Sequence, residues 1–98
     1  MSKFCELIAS EKLVLVDFFA TWCGPCQALS PILEQVSGKV DGKARIVKID
    51  VDKNQALATK LNVRGVPTLI LFKNGSQVWR QSGVVPADQL IKLIAHYS

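Results

Sequence analysis

The stretch that decides the fold covers residues 13–26 and reads LVLVDFFATWCGPC. Its first half is apolar without alternation except at Asp17, which predicts a strand that is buried on both faces. Its second half places Cys23 and Cys26 three positions apart, where the strand ends and a helix should begin. Pro25 would then occupy the first helical turn, where its missing N–H costs nothing. Thiols at this spacing can close a small disulfide, and this geometry suits a reversible dithiol better than a structural staple.

Helices and strands alternate along the rest of the chain. The pattern predicts helices over residues 2–10, from 23 or 24 to about 38, over 54–61 and from 86 onward, and further strands over 44–51, 68–72 and 77–83. A helical crossover makes the second strand parallel to the first, and the Asn74-Gly75 pair predicts an antiparallel hairpin between the last two strands. We therefore expect one α/β domain over residues 1–98, a mixed sheet of four strands with helices on both faces.

Composition and charge narrow the class of protein. The 98 residues are 49% hydrophobic and 20% charged, which is ordinary for a globular protein and sufficient for one core. The net charge of +4 comes with scattered lysines, so we expect a solvated surface and no nucleic-acid partner. No apolar run is long enough to cross a bilayer and no signal peptide is recognisable, so we expect a cytoplasmic protein without a membrane partner.

Cysteine usage argues against a disulfide scaffold and against a metal. Three cysteines are an odd and low number for a secreted protein held together by disulfides. Zinc takes four ligands, and the other soft ligands, Cys5 and His96, lie at opposite ends of the chain. We therefore expect no metal. Cys5 should be a small half-buried residue of the first helix, with a regulatory or dimer-forming thiol as the alternative.

The two central cysteines differ in their place on the predicted helix. Cys23 sits where the helix begins, and the unpaired N–H groups and the helix dipole there should lower the pKa of its thiol. The thiolate is the attacking species in disulfide exchange, so Cys23 is the expected nucleophile. Cys26, one turn further in, should be less exposed and should resolve the mixed disulfide. Because Gly24 and Pro25 carry no charge to stabilise the thiolate further, a reductant is favoured over an oxidase or isomerase.

Asp17 is the unusual residue of the first strand. A carboxylate between Val16 and Phe18 is expensive to bury, and burial should raise its pKa. It could accept the proton of Cys26, or it could be a strand-end carboxylate bonded to a nearby turn; the residue alone favours neither. Lys48 in the neighbouring strand is a candidate partner, although a lysine whose stem extends to solvent is the better-supported interpretation.

Four segments, in this order and spacing, resemble the thioredoxin family. They are residues 16–20 (VDFFA), 22–26 (WCGPC), 63–68 (VRGVPT) and 72–75 (FKNG), and the likeness extends over essentially the whole chain. A CxxC pair near a βαβ pattern is itself typical of thioredoxin-like redox motifs. The resemblance implies a thioredoxin fold, with Cys23 as the nucleophile and Cys26 as the resolving cysteine. It also implies that Asp17 transfers a proton and that Lys48 pairs near it.

The resemblance further implies a substrate site around the dithiol. Pro67 would be a cis-proline facing the dithiol, whereas the residue alone could equally be a simple strand-entry proline. Its neighbour Val66 would offer backbone hydrogen bonds to the substrate. A flat apolar docking surface would be formed by Trp22, Gly24, Pro25, Gly83 and Val84. Such a surface suits substrate chains bound in extended form with little side-chain selectivity.

The implied activity is that of a general protein-disulfide reductase acting on disulfide-containing proteins. An NADPH-dependent flavin enzyme, thioredoxin reductase, would recharge the dithiol, and the chain itself would hold no cofactor. Two alternatives stay open. One is a dedicated reductant for a single partner, and the other is a non-redox binding module that uses the apolar surface around Trp22. The intact cysteines argue against the last, because binding alone needs no thiols.

The chain departs from the family's pattern at several positions. Phe19 stands where many thioredoxins have a second tryptophan, whereas Trp79 lies on the last strand, where it should pack on the sheet or under the last helix. Ser82 makes the rim near Gly83 more polar. The family's first strand should precede the first helix, but only Met1 does so here. We therefore expect residues 44–51 to form an open edge, with lower stability and weak edge-to-edge dimerisation.

Overall fold

The computed structural model describes residues 3–98, which form four helices and four strands. In chain order they are α1 (Lys3–Ser10), β1 (Leu13–Phe19), α2 (Gly24–Lys39), β2 (Arg45–Asp50), α3 (Gln55–Lys60), β3 (Thr68–Lys73), β4 (Ser76–Ser82) and α4 (Ala87–Tyr97). The predicted order of elements is confirmed, and their bounds differ from the expected ones by at most one residue. Ser2, the predicted start of the first helix, lies outside the described residues.

The sheet has the strand order β2-β1-β3-β4. β1 runs parallel to β2, with Val16 opposite Val47, and antiparallel to β3, with Val16 opposite Ile70. β3 and β4 form the predicted hairpin, whose turn residues Asn74 and Gly75 have φ angles of 51° and 85°. Positive φ at both central positions is the requirement of the tight turns that match the twist of a hairpin, which is why Asn-Gly predicts it.

β1 lies in the middle of the sheet, between β2 and β3, and is buried on both faces. One face places Leu13 and Leu15 in a core formed with α2 and α4, to which Leu29 and Leu90 belong. The other face contributes a second core beneath α1 and α3; its members are Ile8, Val14, Val16, Phe18, Ile70 and Phe72. A strand covered on both sides needs apolar residues at every position, which explains the absence of alternation.

β2 is an edge strand of the described sheet. Within residues 3–98 it pairs with β1 alone, so its outer row of backbone N–H and C=O groups faces no other strand. Arg45 and Lys48 are exposed along it. The expected open edge is therefore present in this part of the chain, and lower stability and weak dimerisation stay predictions.

Trp79 and Cys5 lie where the sequence places them. Trp79 is half-buried and packs against the core that Leu90 and Ile94 of α4 help to form, as expected for a residue under the last helix. Cys5 is half-buried on α1.

Truncating β1 should destabilise the fold strongly. Leu15 is completely buried at the centre of the sheet, so Leu15→Ala should lower the free energy of unfolding by about 2–5 kcal/mol, through lost transfer energy and the cavity left behind. Denaturant titration followed by circular dichroism measures this. The exposed Lys92→Ala on α4 is the matched control and should change stability by less than about 0.5 kcal/mol. Similar losses for both variants would contradict the two-core description.

Candidate active site

The dithiol lies at the junction between β1 and α2. The Cys23 N–H donates to the Ala20 carbonyl at 3.2 Å, and Cys23 is the N-cap residue of α2 in an extended backbone conformation. Its Sγ accepts a hydrogen bond from the Cys26 N–H at 3.1 Å. A helix start leaves its first N–H groups without intrahelical partners, and here a sulfur takes one of them. This arrangement favours negative charge on the sulfur of Cys23.

Cys23 and Cys26 form a disulfide, with their Cα atoms 5.3 Å apart. Both residues are almost completely buried, with exposed fractions of 4% for Cys23 and 5% for Cys26. The two residues are therefore buried alike in this oxidised state, and the lower exposure expected for the Cys26 thiol of the reduced dithiol stays a prediction. The physical reason is that the sulfur–sulfur bond holds both side chains in the same small cluster with Ala20. The two cysteines differ instead in their surroundings, because Cys23 caps the start of α2 and lies against the loop that contains Val66.

The loop that faces Cys23 contains Val66 and Pro67. The peptide bond between these two residues is cis, as predicted. The Cys23 Sγ lies 3.6 Å from the carbonyl oxygen of Val66, which puts the loop directly against the sulfur. The Pro67 carbonyl accepts from the Gly83 N–H at 2.9 Å. These contacts bring Cys23, Val66 and Gly83, which are far apart in sequence, to one site.

Exposed apolar groups surround the disulfide. Trp22 is 71% exposed and Val84 is 42% exposed, and they are the large hydrophobic side chains of the described residues that stand out to solvent. Gly24 and Pro25 are exposed beside Trp22. Gly83 has a φ of 94°, a conformation that side chains rarely adopt, so glycine lets the chain turn between β4 and Val84. Trp22, Gly24 and Pro25 therefore adjoin the dithiol along the chain, and Gly83 is bonded to Pro67 in the facing loop; the docking role of these residues stays a prediction.

Asp17 is completely buried in β1, and neither of its carboxylate oxygens has a hydrogen-bond partner. The alternative of a strand-end carboxylate bonded to a turn is therefore wrong. Burial raises the pKa of Asp17 from its ordinary value of 3.8 to about 6, and the positive charge of Lys48 opposes part of this increase. A carboxyl group with a pKa near neutrality can both accept and release a proton at physiological pH.

Lys48 is the residue opposite Asp17 in the pairing of β1 with β2. Its Nζ donates to the Ser30 hydroxyl at 2.9 Å and lies 5.4 Å from the centre of the Phe19 ring. The residue is exposed, as the solvent-reaching interpretation requires, yet its charge still acts on Asp17. Both interpretations of Lys48 therefore hold in part. The Phe19 ring provides the face for the ammonium group.

A small cavity connects Lys48 with the dithiol. It has a volume of about 220 Å³, and Lys48, Ser30 and Cys26 are among the residues that line it. Polar groups on Thr21 and Gln27 also line it, so water can approach Cys26 from this side.

Two positioning contacts escaped the sequence analysis. The Trp22 Nε1–H donates to the Asp52 carboxylate at 2.9 Å, which orients the exposed indole. Arg80 donates to the carbonyls of Leu61 and Asn62, at the start of the loop that leads to Val66. Two features of the sequence could have indicated these contacts. Asp52 follows the end of β2, which runs parallel to β1, and Arg80 is a charged residue within β4.

The fold and the site define a dithiol–disulfide oxidoreductase, and relatives give the family. The thioredoxin family model matches residues 1–96. A thioredoxin-like protein of Synechocystis is 52% identical over 92 residues, covering 93% of this chain and 88% of that protein. Chloroplastic thioredoxin Y of rice is 51% identical over 94 residues, covering 95% of this chain and 56% of that protein.

Solved structures agree with these relatives. A mutant thioredoxin from Halobacterium salinarum superposes with a TM-score of 0.90 at 44% identity, covering 99% of this chain and 84% of that one. Oxidised thioredoxin from Plasmodium falciparum superposes with a TM-score of 0.84 at 38% identity, covering 99% and 91%. The chain belongs to the thioredoxin family, whose members are oxidoreductases that act by dithiol–disulfide exchange. The predicted resemblance and the four-stranded mixed sheet are confirmed. None of the helices in residues 3–98 has the length and apolarity to span a membrane.

The pKa of Asp17 predicts how stability depends on pH. Because the folded state binds this proton more tightly than the unfolded state, the contribution of Asp17 to the free energy of unfolding should be largest at low pH. This contribution should fall as pH rises from 3.8 to about 6 and should then level off. The total change corresponds to about 3 kcal/mol.

Asp17→Asn should remove this slope and should raise stability at pH 7 by about 1–3 kcal/mol, because a buried neutral amide costs less than an unpaired carboxylate. Denaturant titrations between pH 3 and pH 8 measure both effects. Asp41→Asn, at an exposed loop position, is the matched control and should keep the wild-type slope. An Asp17→Asn protein with an unchanged slope would assign the pH dependence to other groups.

Proposed function

We propose that this protein is a general protein-disulfide reductase that acts through Cys23 and Cys26. The observation that carries the proposal is the placement of the disulfide at the helix start, 3.6 Å from the Val66 carbonyl and beside the exposed indole of Trp22. The start of α2, where the Cys26 N–H donates to the Cys23 sulfur, favours a thiolate at Cys23. The exposed apolar groups favour a protein substrate. Residues 1–98 would act as one domain.

The reaction would proceed in two exchanges. The thiolate of Cys23 attacks one sulfur of the substrate disulfide; a bond forms between them, the substrate disulfide breaks, and the other substrate sulfur leaves as a thiolate. Cys26 then loses its proton, and its thiolate attacks the sulfur of Cys23. This forms the Cys23–Cys26 disulfide seen here and releases the second substrate sulfur. Two electrons pass from the protein to the substrate.

Asp17 is the proposed acceptor of the Cys26 proton. Its carboxylate has no hydrogen-bond partner that would have to be broken first, and its raised pKa makes it a suitable base near neutral pH. Lys48 would support this step by moderating the pKa of Asp17. It also lines the cavity through which water reaches Cys26.

Substrate recognition would use the surface around the disulfide. The proposed binding residues are Trp22, Gly24, Pro25, Val66, Pro67, Gly83 and Val84. An extended substrate segment could pair with the backbone of Val66 while apolar side chains contact Trp22 and Val84, which are exposed without a substrate. The proposed binding residues themselves carry no charged side chain, which suits a reductase with many protein substrates.

The proposed redox partner is an NADPH-dependent flavin thioredoxin reductase, and the proposed location is the cytoplasm. A dedicated reductant for one partner would use the same chemistry. A non-redox binding module would not use this chemistry. The disulfide at a helix start favours a redox function over such a module. Redox titration against glutathione and dithiothreitol buffers tests the proposal: a reducing dithiol supports a reductase, and an oxidising one contradicts it.

Trapping experiments distinguish the two cysteines. Cys26→Ser should accumulate stable mixed disulfides with a protein substrate such as insulin, because Cys23 attacks but nothing resolves the product. Cys23→Ser should accumulate none. Non-reducing gels with mass spectrometry identify the adducts. Adding Cys5→Ser to both variants removes the thiol outside the dithiol, so that any adduct must form at Cys23 or Cys26. Stable trapping by Cys23→Ser alone would reverse the two roles.

The base role of Asp17 predicts a kinetic effect. Asp17→Asn should slow the resolving step on the order of 100-fold near pH 7, because a positioned general base is lost. Single-turnover kinetics should show the wild-type rate rising through about pH 6, with no such inflection in the variant. Asp41→Asn again serves as control. An Asp17→Asn protein with the wild-type rate and profile would remove Asp17 from the mechanism.

A further inference from the structure

A second concave site lies on the opposite side of the sheet from α2. It is a groove between α1 and α3 with a volume of about 630 Å³, within the range of small-molecule sites. Its apolar lining includes Phe4, Ile8, Leu57 and Phe72, which belong to the core beneath α1 and α3. We call this feature the α1–α3 groove. It shares no lining residue with the cavity beside Cys26.

The apolar side chains of the α1–α3 groove are incompletely covered. Phe4 and Leu57 are half-buried, although Phe4 packs edge-on against Phe72 with ring centres 5.5 Å apart. The side chains therefore form a fixed apolar surface that still meets water. Covering that surface with an apolar molecule is favourable in proportion to the area removed from water.

The charge at the α1–α3 groove has one sign. Lys53, just before α3, and Lys60, in its last turn, both line the groove and are exposed, and no carboxylate lines it. An apolar ligand with a negatively charged head could bury its body among Phe4, Leu57 and Phe72 while the head meets a lysine. A charge-assisted contact of this kind adds more than a neutral hydrogen bond does.

The size of the groove favours a small molecule over a protein partner. Its volume of about 630 Å³ lies in the range of about 300–1,000 Å³ that small-molecule sites occupy. We propose that the α1–α3 groove binds a small amphipathic anion, with an apolar body and a single carboxylate-type head held by Lys53 or Lys60. This site is separate from the dithiol, and the proposal does not depend on the proposed reductase activity.

Decanoate, below its critical micelle concentration, is the probe. Titration of the full chain followed by ¹H–¹⁵N NMR should shift the amides of Leu57, Leu61 and Phe72 in a saturable way and should leave those of Cys23 and Gly24 unchanged. Decan-1-ol has the same tail without charge and should bind about tenfold more weakly. Saturable shifts that centre on another region would overturn the proposal.

Two variants test the head and the body of the ligand separately. The double variant Lys53→Glu, Lys60→Glu should weaken decanoate binding by about tenfold or more, whereas Lys92→Glu on α4, across the sheet, should leave it unchanged. Ala56→Trp, at an exposed position that lines the groove, should block binding by filling it. If Lys92→Glu weakened decanoate binding equally, the effect of the groove variant would be explained by the net charge of the protein and not by contacts in the groove. Wild-type binding by both groove variants would show that the groove is not the site.

Discussion

The burial of β1 on both faces is the constraint on which the rest of the structure depends. The C-terminal end of β1 positions two other segments through backbone hydrogen bonds. The Ala20 carbonyl accepts from the Cys23 N–H, and the Phe19 carbonyl accepts from the Val51 N–H at 2.9 Å. The first contact sets where α2 begins, and the second sets where β2 leaves the sheet. The dithiol is thereby held at the edge of a rigid core. A site on such an element is positioned more accurately than one on a loop.

The same burial makes a charged carboxylate at Asp17 energetically costly, and this cost raises the pKa of the residue toward neutrality. Every other residue of β1 is apolar, and Asp17 is completely buried among them with both oxygens unpaired. A structural role would require hydrogen bonds, and there are none in the described residues. The fold tolerates the carboxylate because Lys48 supplies an opposing charge and because the two cores on either side of β1 are well packed. Local instability retained inside a stable core is typical of functional positions.

Much of this structure could be predicted from sequence because the signals are local. The unbroken apolar run of β1, the Asn74-Gly75 turn and the helix-start position of Cys23 each follow from a few neighbouring residues. Contacts between distant segments could not be predicted in the same way. The bond from Trp22 to Asp52 and those from Arg80 to the carbonyls of Leu61 and Asn62 depend on how β2, β4 and their loops meet in space. The contact of Cys23 with the Val66 carbonyl likewise joins segments that are far apart in sequence.

The measurement that tests this account most directly is the ionisation of Cys23 in the reduced protein. A variant with Cys5→Ser and Cys26→Ser retains this single thiol, and its thiolate absorbs near 240 nm. If the start of α2 stabilises negative charge on the sulfur, the absorbance should rise at a pH well below the ordinary thiol pKa of about 8.5. A midpoint at or above that value would contradict the claim that the junction of β1 and α2 prepares Cys23 to attack.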